Sequence, residues 1–455
     1  MTQKPALVWF RRDLRLADNP ALDAARATGG PVVALYVHDP GRFFAPGSAQ
    51  RWFIHHALEA LSDSLDQLGA PLLIRRGDEA ACVESVARET GAEAVFWNRR
   101  YSPEEVAADT SIKAALTAGG VSVKTFNGSL LREPWEVKSK TDGPYRVFTP
   151  FWKTLSSLGP SRPFIAATPK RRAPKPVTKA SRDSVSALDF LPRNPDWAAQ
   201  FREFWTPNER GAEQSLETFL GGPAERYAEK RDFPATQTTS RLSPHLAVGT
   251  ISPLAVWDAT QRAIASETIS ERDGEKFLSE IAWREFSCHL LYHNPEITIA
   301  PLRPDFSAFP WREDRKAFRA WTRGETGVPI VDAGMRQLWR TGWMHNRVRM
   351  IAASFLVKNL LVPWQWGERW FWDTLVDADP ASNVASWQWV AGCGADAAPY
   401  FRIFNPATQA EKFDPDGAYI AQYAAPQHVK EPIVDLAQSR IRALEAYERM
   451  KNAAA

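Results

Sequence analysis

The chain has 455 residues, 44% of them hydrophobic and 24% charged, with 56 Lys and Arg against 53 Asp and Glu for a formal net charge of +3. That length is too great for one hydrophobic core, so two domains are expected, and the near-balance of charge excludes a global pull on nucleic acid. No apolar run is long enough to span a bilayer, and three scattered cysteines (Cys82, Cys288, Cys393) argue against a disulfide framework or a metal site and for a reducing, cytoplasmic setting.

The start, MTQKPALVWF, enters an apolar run without the h-region of a secretory signal. From Ala6 to Asn127, β-type runs recur at 6–10, 31–39, 71–77, 92–98 and 121–127, with helical patterns between them. Asp18-Asn19-Pro20 reads as a helix start, and Ser48 to Leu68 repeats apolar residues at i, i+3 and i+4. This alternation predicts a doubly wound parallel sheet with helices on both faces, an α/β domain over 1–127. No G-x-G-x-x-G follows the first strand; RRDLRLADN stands there instead, which excludes a nicotinamide domain and leaves any ligand at the switch point unnamed.

Across 128–205 the pattern breaks at repeated prolines, and the basic, Pro-rich stretch 169–182 reads as a solvated linker between domains. From about Asn208 strand signals vanish. Amphipathic stretches at Glu213–Leu220, Pro253–Ile264, Glu275–Tyr292, Asp314–Arg323, Met335–Thr341, Arg347–Leu361 and Arg440–Met450 predict an all-α domain over 206–455.

The densest chemistry lies from Thr341 to Asn405, which holds seven of the chain's 19 Trp. Val348, Ile351, Ala352, Phe355, Leu356 and Leu360 fall at helical spacing, which places Asn346, Arg349 and Met350 on one shared face. Polar groups on such a helix need partners, and a polar ligand with an aromatic ring would supply them. Asp377 and Asp379 offer acceptors to that ligand. Trp387 and Trp389, two apart on a helix, point roughly 200° apart, one inward and one toward a cavity. Arg340, Arg347, Arg349, Lys358 and Arg369 stand with a single acid, Glu368, and predict a local basic face.

RRDLRLADN, TSRLSP (239–244), IAWREF (281–286), TGWMHNRVRM (341–350), DAD (377–379) and WQW (387–389) occur in this fixed order, and together they resemble the DNA photolyase and cryptochrome family over essentially the whole chain. Within the family the likeness is to bacterial photolyases of cyclobutane pyrimidine dimers. The resemblance implies FAD in the helical domain, an antenna chromophore in the α/β domain, and light-driven electron transfer to a pyrimidine dimer in DNA by a monomeric enzyme that uses neither metal nor membrane. It implies a flavin site made of Tyr227, Thr239, Ser240, Arg241, Leu242, Ser243, Asn346, Arg349, Asp377, Asp379 and Asn383. It implies a dimer pocket of Glu280, Trp283, Asn346, Met350 and Trp389, an electron relay through Trp387, Trp364 and Trp311, and DNA contacts from Arg231, Arg347 and Gln409. Glu280 and Trp283, at i and i+3, share a helix face. A carboxamide at Asn383, where an acid would favour protonating the flavin, leans toward repair.

Two departures matter. The folate-binding Asn-Glu pair of some relatives corresponds to Glu104 and Glu105 here, so folate, a deazaflavin and a second flavin all stay open as antenna. The His pair of (6-4) photolyases is replaced by Asn346 and Met350. A cryptochrome-type blue-light receptor, with the same flavin and relay but no repair, is the rival reading, and a non-photochemical flavin or nucleic-acid-binding protein is a third.

Overall fold

The computed structural model describes residues 4–165, 180–397, 401–424 and 431–454, so most of the basic Pro-rich stretch lies outside the described residues. Five strands, β1 (Ala6–Phe10), β2 (Val32–His38), β3 (Leu72–Arg76), β4 (Ala94–Asn98) and β5 (Ser122–Phe126), form one parallel sheet in the order β3-β2-β1-β4-β5. Every side chain of β1 and β2 is buried, as strands covered on both faces require. The connecting helices are α1 (Pro20–Ala27), α2 (Ser48–Leu68), α3 (Glu79–Thr90) and α4 (Pro103–Ala118). The cap of α1 is Asn19, whose side chain accepts from the Leu22 amide at 3.2 Å, with Pro20 in the first turn.

The stretch expected to be linker carries a helix, α5 (Phe148–Leu158). Phe148, Phe151 and Leu155 bury one face of it in a cluster shared with Phe286 and Ile281. That i, i+3, i+7 spacing is the ordinary signal of a packed helix, and the surrounding prolines obscured it.

The helical unit runs through α6 (Glu209–Leu220), α7 (Tyr227–Lys230), α8 (Ser243–Val248), α9 (Pro253–Ala265), α10 (Glu271–His293), α11 (Arg315–Thr322), α12 (Pro329–Thr341), α13 (Asn346–Ser354), α14 (Trp364–Thr374), α15 (Pro380–Ala391), α16 (Pro406–Phe413), α17 (Ala418–Gln422) and α18 (Leu436–Ala454). Several begin a turn earlier than their apolar patterns predicted, because polar first turns are set by caps: Asn208 for α6 and Ser270 for α10. The long helix expected from Arg347 to Leu361 is instead α13 followed by a π-helical turn, Phe355–Asn359. Cys82, Cys288 and Cys393 are free thiols, and among the described residues no helix is long and apolar enough to cross a membrane.

The α/β unit reaches into the helical one through α2. The Gln50 amide donates to the Ala378 carbonyl at 2.6 Å, and Ser48 Oγ meets Asp373 at 2.7 Å. The segment carrying Asp377 and Asp379 is therefore held from the other unit.

Candidate functional site

A cavity of about 720 Å³ opens among α7, α8, α10, α13, α14 and α15. Three helix ends build its polar wall. Ser243 begins α8, and its Oγ receives the Trp343 indole N–H at 3.1 Å. His345 caps α13, which carries Asn346, Arg349 and Met350. Asp379 caps α15, accepting from the Ser382 amide at 2.8 Å. Ser243, Asn346 and Asp379, at or beside these helix starts, line the cavity.

Arg349 is fixed at both ends: its Nε donates to the Met344 carbonyl at 2.7 Å and its Nη2 to Asp377 Oδ2 at 2.8 Å. The other carboxylate oxygen, Asp377 Oδ1, is buried without a hydrogen-bond partner. Orphaned buried oxygens are rare in folded proteins, and this one belongs to a residue that lines a cavity. A ligand with donor groups fits there.

Asn383 is buried at 8% exposure and donates to the side chain of Glu368 at 2.8 Å. Burial pushes the Glu368 carboxyl up to about 7, with the Asn383 amide opposing part of that shift. Tyr227 is buried against Phe219 and Phe277, and burial raises its phenol well above the ordinary range.

Near the α10 side stand Glu280 and Trp283. Glu280 is ion-paired to Arg231 and lies 3.0 Å from Lys276 Nζ. Trp283, Trp389, Asn346 and Met350 all line the same cavity as Arg349 and Asp377. Asn346 is exposed rather than buried, because α13 begins there; its amide lies 3.9 Å from Met350 Sδ.

The other expected residues fall as follows. Ser240, Leu242, Ser243, Arg231 and Arg347 line the cavity; Thr239, Arg241 and Gln409 are not among its lining residues. Arg241 has a left-handed backbone (φ 52°) and lays its guanidinium over Trp343 at 5.4 Å. Arg347 pairs with Asp232 at 2.7 Å, and Gln409 lies on α16. The basic face does not form as expected: Lys358 is 1% exposed with its ammonium on the Ala391 carbonyl, and Arg347 and Arg349 are each paired to an acid.

Trp387 is 2% exposed and Trp364 2%, while Trp311 is partly exposed beside the same core. Gly367 makes room for Trp387: a Cβ there would sit 2.1 Å from the indole. Sequence reasoning missed Trp321, whose ring lies 6.2 Å from Trp387 and whose N–H is bound to the Ala352 carbonyl. It missed Glu368 as the partner of Asn383, and Gln50, for which no local signal exists.

The switch-point crevice between β1 and β4 is filled. Arg11 makes paired contacts to Asp109 at 2.9 and 3.1 Å, Arg100 to Glu79 at 2.7 and 2.9 Å, and Arg12 reaches Glu105. Burial alone would raise the Glu79 carboxyl, but Arg100, Arg11 and Arg42 outweigh it and hold it below the usual range. The space left beside these side chains is about 60 Å³, against roughly 300–1,000 Å³ for pockets that take drug-sized ligands. In this arrangement the crevice holds ion-paired side chains and a small space lined by Arg12, Arg100 and Glu105. Glu104 is turned outward onto Arg42 and the Phe43 amide. On α2, His55, His56 and Glu59 bring ligand-type atoms within 4.8 Å of one another, but they pair among themselves and none lines the cavity.

Residues 6–173 match the family model described as DNA photolyase, and residues 277–429 match the FAD binding domain of DNA photolyase. A deoxyribodipyrimidine photo-lyase of Agrobacterium fabrum is 48% identical over 98% of this chain and 98% of its own. The crystal structure of a bacterial class III photolyase from Agrobacterium tumefaciens superposes with a TM-score of 0.94 at 48% identity, covering 99% of this chain and 98% of that one. Cryptochrome-1 of Arabidopsis thaliana is 38% identical over 92% of this chain and 62% of its own length. The chain belongs to the DNA photolyase and cryptochrome family. Within it, the chain is an enzyme of the photo-lyase type, with an FAD-binding helical domain.

Proposed function

We propose that the protein repairs DNA by splitting cyclobutane pyrimidine dimers, and that the cavity of the helical unit receives both FAD and a dimer flipped out of the strand. The observation that carries this reading is that Trp283, Trp389 and Glu280 open into the same space as Arg349, Asp377 and Asn383. One side of that space is chemically suited to a flavin and the other to a flat, polar, poorly stacked pair of bases. FAD, held by Tyr227, Ser240, Ser243, Arg349, Asp377, Asp379 and Asn383, supplies a light-driven electron when bound and reduced.

The chain's own residues do the rest. The Asp377–Arg349 pair presents fixed charges of both signs at the cavity wall, so bound donors and acceptors are oriented without reorganisation. Asn383 keeps a neutral amide there, tied to Glu368. Glu280, with Arg231 and Lys276 against it, gathers acceptor and cations where negative charge would develop on the dimer. Trp283 and Trp389 offer aromatic faces to the flipped bases, at a flipping cost on the order of a few kcal/mol that is lowest for damaged steps. Trp387, Trp364 and Trp311 are the internal supply of electrons toward the cavity. Trp387 and Trp364 are sealed from water and Trp311 is not, which suits it to the outer end.

Arg347 and Gln409 are taken as strand contacts, which makes binding salt-dependent. An antenna belongs to this reading, and no step depends on it. The chain is taken to act as a cytoplasmic monomer.

The test is direct: illuminate the reduced protein with single-stranded DNA carrying dimers and follow their loss. Glu280→Ala should cut the repair yield per bound dimer at least 10-fold with flavin content unchanged; an unchanged yield removes Glu280 from the chemistry. A wild-type protein that photoreduces normally yet leaves every dimer intact is a light receptor instead.

A further inference from the structure

The indole of Trp283, expected to flank the dimer, is braced by the helix hidden in the Pro-rich stretch. The first residue of α5 is Phe148. Its ring lies flat on Trp283, with centroids 3.8 Å apart and planes within 7°. Phe286 closes the corner edge-on, 5.9 Å from Phe148 and 5.8 Å from Trp283. Phe148 is only 9% exposed, so its plane is fixed by its own surroundings. One face of the Trp283 indole is thus covered, and the rest is left to the cavity it lines.

The backbone of Phe148 does a second job. A first-turn amide has no partner within its own helix. The Asp396 carboxyl faces this amide, which opposes part of the upward push that burial gives the acid. Asp396 sits in a left-handed turn (φ 55°), a conformation that Asp tolerates better than most residues. That turn places the Asp396 carbonyl 3.1 Å from the Trp389 indole nitrogen, which donates to it. Phe148 is thus stacked on Trp283 while its amide faces Asp396, whose carbonyl holds the Trp389 indole. Asp396 also lines the cavity.

We propose that Phe148 and Asp396 are positioning residues for lesion recognition, which hold the Trp283 and Trp389 indoles at a set spacing so that the cavity distinguishes a dimer from undamaged bases. The inference rests on the repair reading above. Its physical basis is preorganisation. A ring stacked on a fixed ring cannot swing about its side-chain bonds, so it loses little freedom when a base pair lands on its open side. Phe148 touches no substrate in this arrangement; it acts through Trp283.

The experiment uses flavin-loaded protein and two single-stranded oligonucleotides that differ only in one dimer. Phe148→Leu keeps an apolar side chain and loses the flat face; Phe148→Tyr keeps both. Phe148→Leu should bind the dimer-containing strand roughly 3- to 10-fold more weakly, the range of an aromatic pair. Affinity for the undamaged strand, its salt slope, flavin content and photoreduction rate should stay at wild-type values, and Phe148→Tyr should restore dimer affinity. Asp396→Ala, which removes the carboxyl facing the Phe148 amide, should shift discrimination in the same direction by a smaller factor. Equal discrimination by wild type and Phe148→Leu overturns the inference alone, as does a parallel loss of affinity for both strands. A wild-type protein that binds both strands alike overturns the repair reading and this inference with it.

Discussion

The molecule gathers buried charge in two places, and the contrast between them separates structure from site. In the α/β unit, Arg11, Arg100, Arg42 and Arg12 are matched against Asp109, Glu79 and Glu105, and about 60 Å³ of space remains beside them. In the helical unit, Arg349 and Asp377 are also paired, but Asp377 Oδ1 has no partner and the adjoining cavity is about 720 Å³. Both clusters contain Arg on carboxylate, so residue type does not distinguish them. What does is the space beside them, since Arg11 Nε, Arg42 Nε and Arg100 Nε are buried without hydrogen-bond partners as Asp377 Oδ1 is.

The sharpest way to break that contrast is to remove one acid from each cluster. Asp109→Ala strips Arg11 and Arg100 of a shared counter-ion in a closed, packed place. The expected loss is about 3–5 kcal/mol of unfolding free energy, read by urea denaturation, with flavin per folded molecule unchanged. Asp377→Ala strips Arg349 of its partner at an open cavity. There the expected loss is flavin occupancy, at least about 10-fold by the flavin-to-protein absorbance ratio, with a smaller change in stability. The opposite pairing, with Asp109→Ala emptying the flavin site and Asp377→Ala only lowering stability, would mean the crevice is the site.

A smaller effect is expected where the cavity wall meets the aromatic core. Gly367→Ala would place a methyl group against the Trp387 ring, at a cost of about 1–3 kcal/mol in stability. It should also slow photoreduction, because Trp387 must shift. Trp311→Phe is the control at the partly exposed end: photoreduction should be lost with stability unchanged, and chemical reduction of the flavin should restore repair. A Trp311→Phe protein that photoreduces at the wild-type rate would take the relay elsewhere, and the buried Trp321 beside Trp387 would be the first residue to examine.

The α/β half was readable because strands buried on both faces announce themselves: all five β-type runs contain the observed strands, within one or two residues at each end. Helix starts were less readable, since polar first turns carry caps and not an apolar pattern, as at Asn208 and Ser270. In the site, Arg349, Asp377, Glu280, Trp283 and Trp389 share one cavity, and the motif order supplied that grouping where spacing alone could not. The structure adds what no local pattern carries. Gln50 reaches the Ala378 carbonyl across 328 residues of chain, and Phe148 reaches Trp283 from a stretch that prolines made look structureless. Charge counting misled at Lys358 and Arg347, because a count of cations says nothing about which are buried or paired.

The smallest effect concerns Glu368, which stands between the two kinds of cluster: half-buried, bonded to Asn383, with the neighbouring Arg369 as the cation acting on it. Its carboxyl is pushed up to about 7 by burial, above the ordinary 4.5. The neutral acid is therefore the form the fold favours. Its contribution to stability is fully present below about pH 4.5 and is lost as pH rises through about 7. Glu368→Gln keeps an acceptor for the Asn383 amide and removes the titration. Between pH 5 and pH 8 the variant should gain on wild type by on the order of 1–2 kcal/mol, after allowance for solvent near a partly exposed group. Denaturation midpoints of both proteins at matched flavin loading decide it: parallel curves across that range would mean the carboxyl is already ionised in the fold, and that the wall around Asn383 is wetter than its burial implies.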